Sequence, residues 1–194
     1  FLRHGGFAVH AIRDALARNL REGRYVVGAS TITMQLTKNL FLHREKTLAR
    51  KVQEVLLTWW LESELSKEEI LELYLNVIEY GPDIYGIVAA SEHYFGKSPA
   101  ELTAAEAVFF ATILPNPKLF YDSYERGTLS RGTRNRMQRF LRHLNERGRI
   151  DEAAMANGLE QIENGFRFSQ DGASVETVPM GSTATLPFMT AMPG

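Results

Sequence analysis

The chain has 194 residues, 44% hydrophobic and 23% charged, with a net charge of −1; this balance is ordinary for a globular domain and unlike a disordered or fibrous chain. It contains no cysteine, which excludes disulfides and thiolate metal sites but names no compartment. No apolar run approaches the ~20 residues of a membrane-spanning helix.

The near-zero net charge conceals a division. Residues 1–60 hold ten Lys or Arg against four Asp or Glu, whereas residues 61–114 hold two against ten. A basic third beside an acidic third points to an anionic ligand held on one side. Arginines gather again between Arg126 and Arg149.

Apolar spacing of the 3.6 type predicts helices over 7–21, 31–42, 47–64, 67–79, 84–95, 103–114, 130–146 and 151–163. No alternating run of β-formers and no internal repeat stands out. The second helix lies in GASTITMQLTKNLFL, Gly28 to Leu42. Ser30 is the expected N-cap, and Ile32, Leu36 and Leu40 form the expected buried face. Capping leaves Thr31, Thr33, Gln35 and Lys38 unexplained. A helix N-terminus offers free N–H donors and partial positive charge, so a phosphate suits it, and Lys38 would add a full charge.

The third helix lies in KTLARKVQEVLLTWWLE, Lys46 to Glu62. Leu48, Val52, Val55, Leu56 and Trp59 form its expected buried stripe, and both Trp59 and Trp60 are expected in the core. Arg50 and Glu54 stand four apart, Lys51 and Glu54 three apart, as in a surface ion pair. With Lys38, Arg44 and Lys46 just upstream, five cations surround one carboxylate. Pairing needs fewer, and a pyrophosphate accounts for the excess.

Further along, SKEE, SPAE and TAAE are capping boxes with Glu69, Glu101 and Glu106 three residues after Ser66, Ser98 and Thr103. Gly96 is placed to end a helix, and Pro115 and Pro117 to stop the one after 103. From about Gly165 onward, Gly, Ser, Thr, Pro and Met dominate without periodicity, as in a linker or poorly ordered tail. The expected division is a domain over 1–164 and a tail over 165–194. The five histidines share no spacing that would build a zinc site.

GASTITMQLTKNLFL, RKVQE, KEEILELYLN and YGIVAASEHYFGKSPAELTAAEAVFFATILPNP, in this order and at these intervals, resemble successive motifs of the peptidoglycan glycosyltransferase domain, glycosyltransferase family 51. That domain occurs in class A penicillin-binding proteins and in monofunctional transglycosylases, and NVIEYGPDIYG with ILPNP most resembles the monofunctional branch. The resemblance runs from Phe1 to about Pro117. It implies an all-α, lysozyme-like fold on the outer, periplasmic face of the bacterial cytoplasmic membrane. It implies an inverting hexosyltransferase: the 4-hydroxyl of lipid II attacks the growing glycan and expels undecaprenyl pyrophosphate. Fixed positive charge would stabilise that leaving group.

Carried over by position, Glu54 is the catalytic candidate. Ser30, Thr31, Gln35, Lys38, Lys46, Arg50 and Lys51 line the donor side, Asn76 closes the fourth motif, and His4 lies near the cleft. Met34 and Phe41 are candidates either for an apolar surface touching lipid or for helix packing. The implied partners are lipid II, the growing strand, the membrane surface and other cell-wall synthesis proteins, with no nucleic acid. The one cofactor the family admits is a divalent cation, Mg or Mn.

The sequence departs from the family pattern in places. The Glu-Asp pair that opens the first motif, with the general base, would fall before Phe1, and an anchor is expected there too. The resemblance thus implies that residues 1–194 alone do not polymerise lipid II. Ala8 stands where the motif has Asp, Met34 where it has Gln, and Lys46 where it usually has Arg; Lys46 keeps the charge without the bidentate geometry. Two rivals remain. A lysozyme-type glycan-cleaving enzyme would share the fold but need a carboxylic acid poised at the scissile bond. A basic helical nucleic-acid-binding module would show steep salt dependence.

Overall fold

A computed structural model of the protein describes residues 31–41 and 48–169, the side chains of 48–51 excepted. Among these residues it is an all-α domain of the lysozyme-like kind, with one small hairpin. Helices α1 (Ile32–Phe41), α2 (Leu48–Glu64) and α3 (Lys67–Val77) lead to strands β1 (Glu79–Gly81) and β2 (Ile84–Tyr85). Then come α4 (Ile87–Phe95), a 3₁₀ turn (Pro99–Glu101), α5 (Ala104–Ile113), α6 (Pro117–Glu125), α7 (Arg131–Glu146), α8 (Glu152–Glu160) and a π turn (Gln161–Gly165). The helix expected over 7–21 lies outside the described residues.

Capping chemistry fixes many of the boundaries. All three expected capping boxes form: Ser66 with Glu69, Ser98 with Glu101 and Thr103 with Glu106. Glu69 accepts the Ser66 backbone N–H at 2.8 Å and the hydroxyl at 2.8 Å. These bonds, the backbone one foremost, hold its carboxyl below the usual carboxylate range. Gly96 takes the left-handed conformation at φ 63° and ends α4.

Two elements differ from expectation. Pro117 opens α6, because a proline at the first helical position loses only an N–H that would be unpaired anyway. Asn116 caps that helix by accepting from Leu119 N–H at 3.3 Å. Secondly, residues 84–85 form a strand, and the helix expected from 84 starts at Ile87. Gly86 explains the shift: its φ of +81° is not helical, and its N–H donates to Ile78 O at 3.0 Å. A Cβ there would sit 2.7 Å from the Asn76 carbonyl oxygen, so the hairpin folds back on the end of α3 only with glycine.

The core is aromatic. Helix α5 buries Ala105, Val108, Phe109, Phe110 and Ile113, being apolar on almost every side as a central helix must be. Tyr94 and Phe95 of α4 meet Phe109 and Phe110 edge-on, and Tyr80 of β1 packs on Phe110 at 5.3 Å. Tyr94 is fully buried and donates its hydroxyl to Tyr80 O at 2.9 Å. Phe166 and Phe168 join this cluster, Phe168 lying 5.3 Å from Phe109. Packing therefore continues past residue 164, where the domain was expected to end. The stretch composed like a tail begins with two phenylalanine anchors.

Burial raises the Tyr80 and Tyr94 hydroxyls well above the ordinary tyrosine value of 10.0. Above that value the unfolded chain releases these protons and the folded one retains them. The folded state then binds more protons than the unfolded, so stability is present below pH ~10 and falls as pH rises towards the raised folded-state values. A titration should show the tyrosinate absorbance of these two residues appearing together with loss of helical circular dichroism. Ionisation of every tyrosine with helicity intact would contradict the burial.

Helix α2 reverses the expected orientation. Val52, Val55, Leu56 and Trp59 are exposed, Leu56 by 61% and Trp59 by 67%, while Glu54, Thr58 and Leu61 face inward. Trp60 is partly buried and packs edge-on against Phe41. The apolar stripe exists as spaced, but the polar face with Thr58 and Glu62 is the one that meets α1. The hydroxyls of α1 choose it.

Candidate active site

The hydroxyl-rich helix α1 packs against both α2 and α3, and its own residues explain how. Leu36 and Met34 are buried, so Met34, at the position of the family's glutamine, is a core residue and does not form a lipid-facing surface. Thr33 and Thr37, one turn apart, are fully buried and point at α2. Thr33 donates to Glu62 Oε1. Thr37 donates to Thr33 O at 2.9 Å and meets the Thr58 hydroxyl at 3.2 Å. Thr58 in turn donates to Glu54 O at 2.6 Å. One turn forward on α1 is one turn back on α2, so the helices run antiparallel through a polar seam. The next turn back along α2 brings Glu54.

The anion reading of the helix start is thereby narrowed. Of the unexplained residues, Thr33 and its neighbour Thr37 serve the seam between helices. Thr31 acts as the N-cap in place of Ser30, its Oγ1 accepting from Met34 N–H at 3.2 Å and its carbonyl from Gln35 N–H at 2.9 Å. Gln35 is half-buried, and its Oε1 accepts from the Tyr74 hydroxyl of α3 at 3.1 Å, leaving its amide nitrogen as the end that can donate to a ligand. Lys38 is exposed in the last turn, without an ion-pair partner among the described residues. Glu54 is 3% exposed.

Asn76 stands apart. Its side chain is exposed and Nδ2 donates to Glu72 O at 2.9 Å within its own helix, while its carbonyl oxygen leaves no room for a Cβ at Gly86. The structure thus brings α1 and α2, with Thr31, Gln35, Lys38 and Glu54, side by side, and gives Asn76 a helix-end contact. Ser30, Lys46 and His4 lie outside the described residues, as do the side chains of Arg50 and Lys51. Three residues of the assembly carry no motif chemistry that sequence reasoning singles out: Tyr74, which holds Gln35, and Thr58 and Glu62, which hold α1. Thr58 and Glu62 stand four apart on α2, matching Thr37 and Thr33 on α1; that matched spacing was the available signal.

Two open hollows, of about 640 and 400 Å³, lie elsewhere, around Tyr124–Gly127 and Thr128–Arg134, and share Arg167. Neither includes a residue of the α1–α2 assembly. Among the described residues no group of three or more His, Asp or Glu is placed to hold a metal ion, and no helix is long and apolar enough to cross a membrane.

The model of the transglycosylase family matches residues 1–145, a span containing every candidate site residue. The chain belongs to the transglycosylase family. It is 47% identical over 122 residues to a biosynthetic peptidoglycan transglycosylase of Acinetobacter baumannii (strain SDF), covering 63% of this chain and 54% of that protein. It is 53% identical over 123 residues to the protein of that name from Nitrosomonas europaea, covering 63% and 50%. With the Herminiimonas arsenicoxydans protein of the same name, identity is 47% over 134 residues, covering 69% and 57%. The chain spans about half the length of the curated relatives it matches. Family membership gives no support to a glycan-cleaving lysozyme or a nucleic-acid-binding module.

Proposed function

We propose that this chain is the donor-binding portion of a peptidoglycan glycosyltransferase. The enzyme is an inverting hexosyltransferase that polymerises lipid II into glycan strands and releases undecaprenyl pyrophosphate. The observation that carries the reading is the division of labour on α1. Thr33 and Thr37 turn inward onto α2, while Lys38 remains exposed beside the helix that bears the buried Glu54. The cations Lys38, Lys46, Arg50 and Lys51 hold the pyrophosphate as charge develops on it, Gln35 and Thr31 orient the donor sugar, and Glu54 organises the cations. Ser30 and His4 complete the donor side, with Asn76 at its margin. The work takes place at the outer face of the cytoplasmic membrane, with lipid II presented from the membrane surface. Other cell-wall synthesis proteins are its partners. Family membership and the motif order support this reading.

Lys38 provides the test. A charge-assisted contact is worth about 1.5–3 kcal/mol, so Lys38→Ala in the full-length protein should weaken binding of lipid II, or of a phosphoglycolipid inhibitor, by about 10- to 100-fold. An exposed side chain contributes little to folding, so the melting temperature should stay unchanged. Equal binding with lowered stability would leave Lys38 as a helix-end cation that only complements the dipole.

A further inference from the structure

Glu62 is the side chain of the α1–α2 seam that also reaches α3, and the proposed chemistry makes no use of it. It lies in the last turn of α2, largely buried. Oε1 accepts from the Thr33 hydroxyl of α1, and Oε2 pairs with the Lys67 ammonium at the start of α3. One carboxylate thus joins three helices. A buried carboxylate is costly unless paired, and here each oxygen has its partner on a different helix. Thr33 is fully buried and two residues before Gln35. Any slip of α1 along α2 would break the Thr33 bond and the Thr37–Thr58 contact one turn on, and would carry Lys38 along the helix that bears Glu54. A further α1 tie, Tyr74 to Gln35, comes from α3, whose first residue Glu62 also holds.

We propose that Glu62 is a positioning residue. Through Thr33 and Lys67 it sets the register of α1 on α2, and so where Gln35 and Lys38 stand along the helix that bears Glu54. The inference rests on the functional reading above. It predicts energetic coupling between Glu62 and Lys38, which the structure does not place in contact. Residues acting through a shared arrangement fail to add in a double-mutant cycle, whereas independent ones add.

The experiment uses the full-length protein, with lipid II as probe. Lys38→Ala should cost about 10- to 100-fold in binding by itself, and less than about threefold in the Glu62→Gln background, because a misregistered Lys38 has little left to lose. Thr33→Val should reproduce the Glu62→Gln behaviour and Thr33→Ser should restore wild-type binding; if Glu62→Gln does not fold, the Thr33→Val cycle decides alone. Amide exchange should quicken on α1 and stay unchanged on α5 and α7. Additive losses, or unchanged exchange on α1, would overturn the inference. Failure of the wild-type protein to bind lipid II would defeat the functional reading as well, whereas wild-type binding with additive losses defeats the positioning role alone.

Discussion

Glu54→Gln in the full-length protein is expected to lower lipid II turnover by roughly 10²–10³-fold, the effect of removing one preorganised electrostatic group, with the fold intact. Glu54 is almost completely buried, on the turn of α2 next to Thr58. An ordinary pairing of Glu54 with Arg50 or Lys51 on the helix surface would be worth a few tenths of a kcal/mol and would not affect chemistry. A carboxylate that is only 3% exposed differs: its charge would be poorly screened from any cation held near it. Gln keeps the shape and removes that charge, so the orientation of donors towards the departing pyrophosphate should suffer while packing does not. Polymerisation kinetics with circular dichroism on the same samples are the check. Near-normal turnover by a folded Glu54→Gln protein would reduce Glu54 to an ion-pair partner.

Phe109→Ala should produce the largest loss of stability, about 3–5 kcal/mol. Phe109 is fully buried and meets Tyr94, Phe95, Phe166 and Phe168 at centroid distances of 5.3 to 5.8 Å. Rings packed on several sides collapse poorly into a hole, so the cavity persists. In a domain of this size each kcal/mol is worth roughly 2–4 °C, which puts the fall in melting temperature near ten degrees or more. The cluster lies away from the α1–α2 seam, so lipid II affinity per folded molecule should not change. A loss below about 1 kcal/mol would mean that the site closes over the missing ring.

The helix starts were legible because a hydroxyl followed three residues later by a glutamate acts locally, and Ser66, Ser98 and Thr103 behave as written. Pro117 was ambiguous for a local reason as well, since a proline that stops one helix is equally suited to begin the next. The face of α2 was not legible. Val52, Val55, Leu56 and Trp59 form a clear apolar stripe, yet that stripe is exposed and the polar face turns inward, so periodicity pointed to the wrong side. The deciding information lay on another helix, in Thr33 and Thr37. The allocation of the hydroxyls was not legible: the same run that reads as a ligand cradle supplies a cap in Thr31 and two interhelical contacts. Gly86 shows the same limit, since the carbonyl it must clear belongs to Asn76, ten residues earlier.

The protein's two tryptophans, Trp59 and Trp60, are neighbours on α2, one exposed and one packed on Phe41 of α1. Intrinsic emission excited at the red edge therefore reports from this one helix and is blind to the phenylalanine and tyrosine core. Two populations should be separable by iodide: Trp59 quenched readily, Trp60 shielded until α1 lifts away. Denaturation followed by fluorescence then tracks the candidate site, while the far-ultraviolet signal tracks the whole domain, and the gap between the two curves measures whether the seam opens before the core.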